Sequence, residues 1–189
     1  LKDVMTKLLT KVGHGGEGCF IRIASTIPPG RGLGSSAAVS AAVIRSMLSY
    51  FRHPYTHRDL LQLIHISEKH VHGTPSGIDS EAVLAQGPFW FVKGHPSEPL
   101  TTGRPVRLVV ADSGQISDTR SSVASVHEQL RSIPKKALAR LDSLGDWALS
   151  ARKSLAKGDI FQLGNALNGA QFELKKLGVS SPVLNRLIS

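Results

Sequence analysis

The chain has 189 residues, 41% of them hydrophobic and 20% charged, with one cysteine and a net charge of 23 − 14 = +9. This composition fits one large or two small globular domains, excludes an intrachain disulfide, and contains no apolar run near the ~18 residues of a membrane span. The basic residues are scattered, with no long run and little aromatic interleaving, so the charge reads as a solvated surface that suits anionic small molecules rather than as a nucleic-acid or membrane footprint.

The N-terminus lacks the basic stretch and long apolar core of a signal peptide. The first residue, Leu1, is not Met, and the chain is expected to begin inside a longer one. Leu1, Val4, Met5, Leu8, Leu9 and Val12 fall on one helical stripe. Gly13, Gly15, Gly16 and Gly18 then break it. Residues 20–27 (FIRIASTI) alternate as a strand does, and Pro28-Pro29-Gly30 ends them. An Ala-rich helix is expected over 36–51. Another is expected over 57–71, with Leu60, Leu61, Leu63 and Ile64 as its apolar residues and Gly73 and Pro75 as its stop. Residues 89–92 read as a short strand, and 96–105, rich in Pro, Gly and Thr, as a connection. Residues 106–111 read as a buried strand. Helices follow over 119–131, 135–157, 159–177 and from 182 on, broken at Gly158-Asp159 and Gly178. This is an α+β outline: a mixed unit over 1–102, then a helix-rich unit over 103–189.

The most informative stretch is Pro28-Pro29-Gly30-Arg31-Gly32-Leu33-Gly34-Ser35-Ser36-Ala37-Ala38. Glycines at alternate positions permit positive φ and close approach of backbone to a ligand. Successive N–H groups can form an anion nest, and the helix that follows aims its free N–H groups at the same point. The plainer alternative is a glycine turn with a serine helix cap. The order strand, loop, Ala-rich helix favours phosphate, although no Gly-Lys-Ser/Thr of a Walker A loop is present.

The second constellation runs from Glu68 to Asp79, eleven residues apart, through Gly73-Thr74-Pro75-Ser76-Gly77-Ile78. Glu68 is expected near the end of a helix and Asp79 at the start of the next element, after a Pro-Ser-Gly turn. Each alone reads as a solvated helix residue or an N-cap. Together they can converge on one site. Phosphoryl transfer needs such a pair, one carboxylate for Mg²⁺ and one for the attacking hydroxyl. His70 and His72 have no third ligand at zinc-like spacing, so they are expected to shape the turn or lie at its surface.

The glycine loop resembles the second signature motif of the GHMP kinases, the family of galactokinase, homoserine kinase, mevalonate kinase and phosphomevalonate kinase. The Glu68–Asp79 spacing and its turn are similar to the mevalonate kinase branch. The resemblance covers nearly the whole chain and implies a GHMP kinase-like two-domain fold. Its N-terminal ATP-binding unit, over 1–102, is ribosomal protein S5 domain 2-like. Its C-terminal unit, over 103–189, is ferredoxin-like and helix-rich, and both are incomplete. It implies ATP held by Gly30, Arg31, Gly32, Leu33, Gly34, Ser35 and Ser36, with Ser25 also at the nucleotide. Mg²⁺ falls to Ser36 and Glu68, and the catalytic base to Asp79. Thr119 matches a threonine near the acceptor pocket, although Asp118 or Thr119 serves equally well as a helix cap. Leu177-Gly178-Val179-Ser180-Ser181-Pro182 is also similar to the family, in a packing role.

The implied reaction is phosphorylation of a small-molecule alcohol, mevalonate to 5-phosphomevalonate in isoprenoid biosynthesis, in the cytoplasm and without nucleic acid or membrane. The family is often dimeric. Its first motif, which supplies a lysine, and its third, a late glycine loop, are not found, so the 189 residues alone are expected to be inactive. Homoserine kinases also tend to carry Arg after the first loop glycine, as Arg31 does here. They generally lack the aspartate of the Pro-Ser-Gly-Ile-Asp turn. Mevalonate decarboxylase has a different serine loop. A basic RNA-binding module is the rival of another class, and no aromatic RNA platform is seen.

Overall fold

In a computed structural model, described over residues 1–16, 18–72, 75–115 and 119–188, the stripe at the start of the chain forms α1 (Lys2–Lys11). Side chains of residues 70–72, 119 and 120 lie outside the description. The chain divides into two compact units, Leu1–Gln86 with Phe91–Ser97, and Gly87–Trp90 with Glu98–Ser189.

The first unit is helical: α1 is followed by α2 (Ser35–Tyr50), α3 (His57–His72) and α4 (Ile78–Leu84). Its core gathers Val4 and Leu8 of α1, Ala37, Ala41, Ile44 and Leu48 of α2, Leu60 and Ile64 of α3, and Leu84 of α4. Alanine and serine at 37, 40 and 41 keep that side of α2 slim, and α3 packs against it. The entry to α3 is a reciprocal cap. The Thr56 backbone N–H donates to Asp59 Oδ2 at 2.8 Å, and the Asp59 N–H donates back to Thr56 Oγ1 at 3.2 Å. The hydrogen bond from the Thr56 hydroxyl, then that from its backbone, holds the Asp59 carboxyl below the ordinary carboxylate range.

The second unit holds α5 (Thr119–Ser132), α6 (Pro134–Lys157), α7 (Ile160–Lys176) and α8 (Pro182–Ile188). Pro134 opens α6, where its missing N–H is harmless. Gly158 closes it at φ 71°, and Asp159 caps α7 by accepting from the Gln162 N–H at 3.0 Å. These helices match the sequence-based ranges to within a residue or two. No helix among the described residues is long and apolar enough to cross a membrane.

Two expected strands are absent. Among the described residues, neither 20–27 nor 106–111 pairs with a neighbouring strand. The strand pairing recorded among the described residues is a short antiparallel hairpin of β1 (Phe89–Trp90) and β2 (Glu98–Pro99), with Phe89 opposite Pro99 and Trp90 opposite Glu98. Alternation makes a segment able to enter a sheet, but a strand exists only where another backbone accepts its hydrogen bonds. Phe20 is 89% exposed, and Leu108, Val109 and Val110 are 77%, 98% and 78% exposed. The segment 96–105, expected as a plain connection, supplies β2. Arg152 ties this hairpin to α6, bonding Glu98 at 2.6 Å and lying 4.9 Å over the Trp90 ring.

Two glycines of α7 make a sharp test of packing in the second unit. A Cβ on Gly164 would meet nothing within 4 Å, whereas one on Gly169 would lie 2.3 Å from Trp147 Cε2. Gly164→Ala should therefore gain about 0.5–1 kcal/mol from reduced backbone freedom in the unfolded chain. Gly169→Ala makes the same gain but forces the indole to move, at about 1–3 kcal/mol. Urea unfolding followed by tryptophan fluorescence should show the first variant above wild type and the second below it. The same sign for both would contradict the packing described.

Candidate active site

Gly30, Gly32 and Gly34 all take left-handed backbone, at φ 70°, 72° and 66°. Side chains with a Cβ resist that region, which is why glycine recurs at every second position. Gly34 is the N-cap of α2, and no side-chain oxygen caps the helix. Ser35 and Ser36, read from the sequence as a cap or as phosphate ligands, lie inside the first helical turn. The ladder begins with the Ala38 N–H donating to the Gly34 carbonyl at 2.9 Å. The first-turn N–H groups thus follow directly on a loop of left-handed glycines, the arrangement that suits an anion.

Helix α3 brings the first carboxylate to this point. The Ser36 hydroxyl donates to Glu68 Oε1 at 2.7 Å, although the two residues are 32 apart in sequence. Glu68 is 2% exposed. Such a charge is tolerated in an interior only with hydrogen-bond partners or a cation. One helical turn further along α2, Ser40 Oγ and Ser67 Oγ are 2.9 Å apart and fully buried.

Helix α4 brings the second carboxylate. Gly77, at φ 94°, is its N-cap, and Asp79 sits exposed in its first turn. Asp79 Oδ1 lies 4.0 Å from the position that a Cβ on Gly34 would occupy. The loop, the Ser36–Glu68 pair and Asp79 therefore converge in the first unit, each delivered by the start or end of a different helix.

The donor set fits Mg²⁺. An octahedral ion with oxygen ligands at about 2.0–2.1 Å has neighbouring ligand oxygens about 2.9 Å apart, close to the serine–glutamate separation. Among the described residues no group of three His, Cys, Asp or Glu could hold a metal by itself. A hard cation here would complete its shell with phosphate and water oxygens, as Mg²⁺ prefers.

The remaining sequence-based candidates are less central. Arg31 is half-buried, and Leu33 is 51% exposed. Ser25 is exposed, accepts from the Ile27 N–H at 3.2 Å, and lines a groove of about 390 Å³ between 21–27 and α2 rather than the loop itself. The side chains of Thr119, His70 and His72 lie outside the described residues. Sequence reasoning missed the Ser40–Ser67 pair, whose one signal was a serine four residues after Ser36. It also missed a cavity of about 520 Å³ lined by His65, Ser80, Glu81 and His95, in which Ser80 Oγ has no hydrogen-bond partner.

Comparison with known proteins gives a consistent picture. Residues 1–87 match the family described as GHMP kinases N terminal domain. The chain is 32% identical over 180 residues to the mevalonate kinase of Aeropyrum pernix, covering 89% of this chain and 52% of that protein. It is 33% identical over 178 residues to that of Thermococcus sibiricus, covering 91% and 53%. For the mevalonate kinase of Schizosaccharomyces pombe the figures are 30% over 202 residues, 96% and 50%. The chain thus spans about half the length of the curated relatives it matches. Among solved structures, that of L. major mevalonate kinase in complex with R-mevalonate is similar in fold. The TM-score is 0.65 at 23% identity, covering 79% of this chain and 47% of that one.

Proposed function

We propose that this chain, whose residues 1–87 match the family described as GHMP kinases N terminal domain, serves an ATP-dependent kinase that phosphorylates a small-molecule alcohol, mevalonate. The observation that carries this reading is the 2.7 Å contact of Ser36 with Glu68 at the foot of an uncapped glycine loop, with Asp79 beside the loop. Mevalonate is named as acceptor because the relatives are mevalonate kinases.

In this reading the backbone N–H groups of Gly30 to Ser36 hold the phosphates of ATP. Ser36 and Glu68 would hold Mg²⁺, which would supply charge neutralisation on the transferring phosphates. Asp79 accepts the proton of the acceptor hydroxyl as its oxygen bonds to the γ-phosphorus. The bond from that phosphorus to the β,γ-bridging oxygen breaks, and ADP leaves with the electron pair. The family resemblance alone assigns Ser25 to the nucleotide and Thr119, whose side chain lies outside the described residues, to the acceptor. Such chemistry is mostly positioning and electrostatics, which suits a site assembled from three helix ends.

ADP release by an enzyme that contains this chain together with the family's first and third motifs, measured with ATP, Mg²⁺ and either mevalonate, phosphomevalonate or homoserine, tests the acceptor. Release that depends on mevalonate is expected. Release with homoserine alone would move the reading to homoserine kinase, which Arg31 keeps in view. RNA affinity that falls steeply with salt, with no ATP binding, would replace the kinase reading by an RNA-binding one.

A further inference from the structure

Helices α2 and α3 meet along one line of small and apolar side chains, Ala37, Ala41 and Ile44 against Leu60 and Ile64. Contacts of this kind are non-directional. They hold the helices together, but they penalise a small slip of one helix along the other less sharply than a hydrogen bond does, and apolar cores lose uniqueness before they lose stability. The Ser36–Glu68 contact sits at one end of that line, and an error of about 1 Å at such a site can cost about 10²-fold in function.

Besides the Ser36–Glu68 bond, a second directional contact lies between the helices, one turn along α2. Ser40 Oγ and Ser67 Oγ are 2.9 Å apart, at 3% and 1% exposure. Ser40 is one turn beyond Ser36 on the same side of α2, and Ser67 directly precedes Glu68 on α3. A hydroxyl–hydroxyl bond in this buried interface forms in one register, and a slipped register would trade it for the weaker alternative of each serine turning back to a carbonyl of its own helix.

We propose that the Ser40–Ser67 hydroxyl pair is a positioning couple: it fixes the register of α2 on α3 and so holds Ser36 and Glu68 at the spacing that a divalent cation needs. The inference rests on the kinase reading of Ser36 and Glu68, and it adds two residues that touch neither nucleotide nor metal. The alternative is a hydrogen bond that matters for stability alone. The two differ in what happens when both hydroxyls are removed together. Replacing both partners by alanine leaves no orphaned polar atom and should be nearly neutral for folding. It also removes a directional contact between α2 and α3 that is separate from the Ser36–Glu68 bond itself.

The test is Ser40→Ala with Ser67→Ala, read by Mn²⁺ binding in the presence of ATP, with the free-ion electron paramagnetic resonance signal as the measure. The double variant should unfold near the wild-type midpoint and bind ATP as before without metal. Its Mn²⁺ affinity should fall about tenfold, the lower end of what disturbing the surroundings of metal ligands does. If the double variant does not fold, Ser67→Ala alone is titrated in its place. A folded variant with wild-type Mn²⁺ affinity overturns the positioning role and leaves the kinase reading intact. Wild-type protein whose ATP binding ignores Mn²⁺ overturns both.

Discussion

In an enzyme that contains this chain together with the family's first and third motifs, replacing Asp79 by asparagine is expected to slow ADP release with mevalonate about 10²-fold or more, the usual effect of losing a general base, while ATP affinity stays close to wild type. The asymmetry follows from where Asp79 sits. It lies in the first turn of α4, exposed, with its carboxylate beside the glycine loop but not within the Ser36–Glu68 contact. Asparagine keeps the shape and one oxygen, so the turn at Pro75-Ser76-Gly77 and the start of α4 should form as before. What disappears is the group proposed to accept the hydroxyl proton in the transition state. Steady-state kinetics should therefore show a fall in kcat with little change in the KM for ATP, the pattern of an interaction made mainly in the transition state. Turnover near the wild-type value would remove Asp79 from the mechanism.

Glu68→Gln should act on the metal rather than on the proton. Glutamine retains an oxygen to accept the Ser36 hydroxyl, so the helix contact at 2.7 Å has a neutral counterpart and the buried site stays filled. The negative charge proposed to hold the cation is lost. We expect the Mg²⁺ concentration needed for half-maximal ATP binding to rise about 10²-fold, at the upper end for changes around metal ligands. Saturating Mg²⁺ should recover part of the loss, which it cannot do for Asp79→Asn. Calorimetric titration of nucleotide at several fixed Mg²⁺ concentrations separates the two variants. An unchanged Mg²⁺ requirement in Glu68→Gln would sink the shared metal site.

What could be read from the sequence divides along the range of the interactions. The helices were legible because their signals are local: the 3.6-residue stripe of Val4 and Leu8, the alanines after Ser36, the glycine at 158. The loop was legible for the same reason, since alternate glycines at 30, 32 and 34 have few uses other than left-handed backbone, and all three adopt it. The approach of Glu68 to Ser36 was reached only through resemblance, because it needs two helices in register. The Ser40–Ser67 pair needs the same register and carries no motif, so it was invisible. The strands failed for a related reason. Residues 20–27 and 106–111 have the composition of strands, but pairing depends on a partner backbone that no local pattern supplies. The Pro-Ser-Gly turn was seen, while the short helix α4 behind it was not resolved as an element of its own.

The bare run at Leu108, Val109 and Val110 has a consequence for how molecules of this chain meet one another. Three consecutive apolar residues with an unpaired backbone form a template on which a strand from a second molecule can settle. Opposing this, each molecule carries a net charge of +9, and like-charged molecules keep their distance in dilute buffer. Salt shortens the reach of that repulsion to about 8 Å at physiological ionic strength. Colloidal stability is thus a contest between a short-range adhesive edge and a long-range electrostatic cushion, and buffer strength decides which of them two colliding molecules feel first.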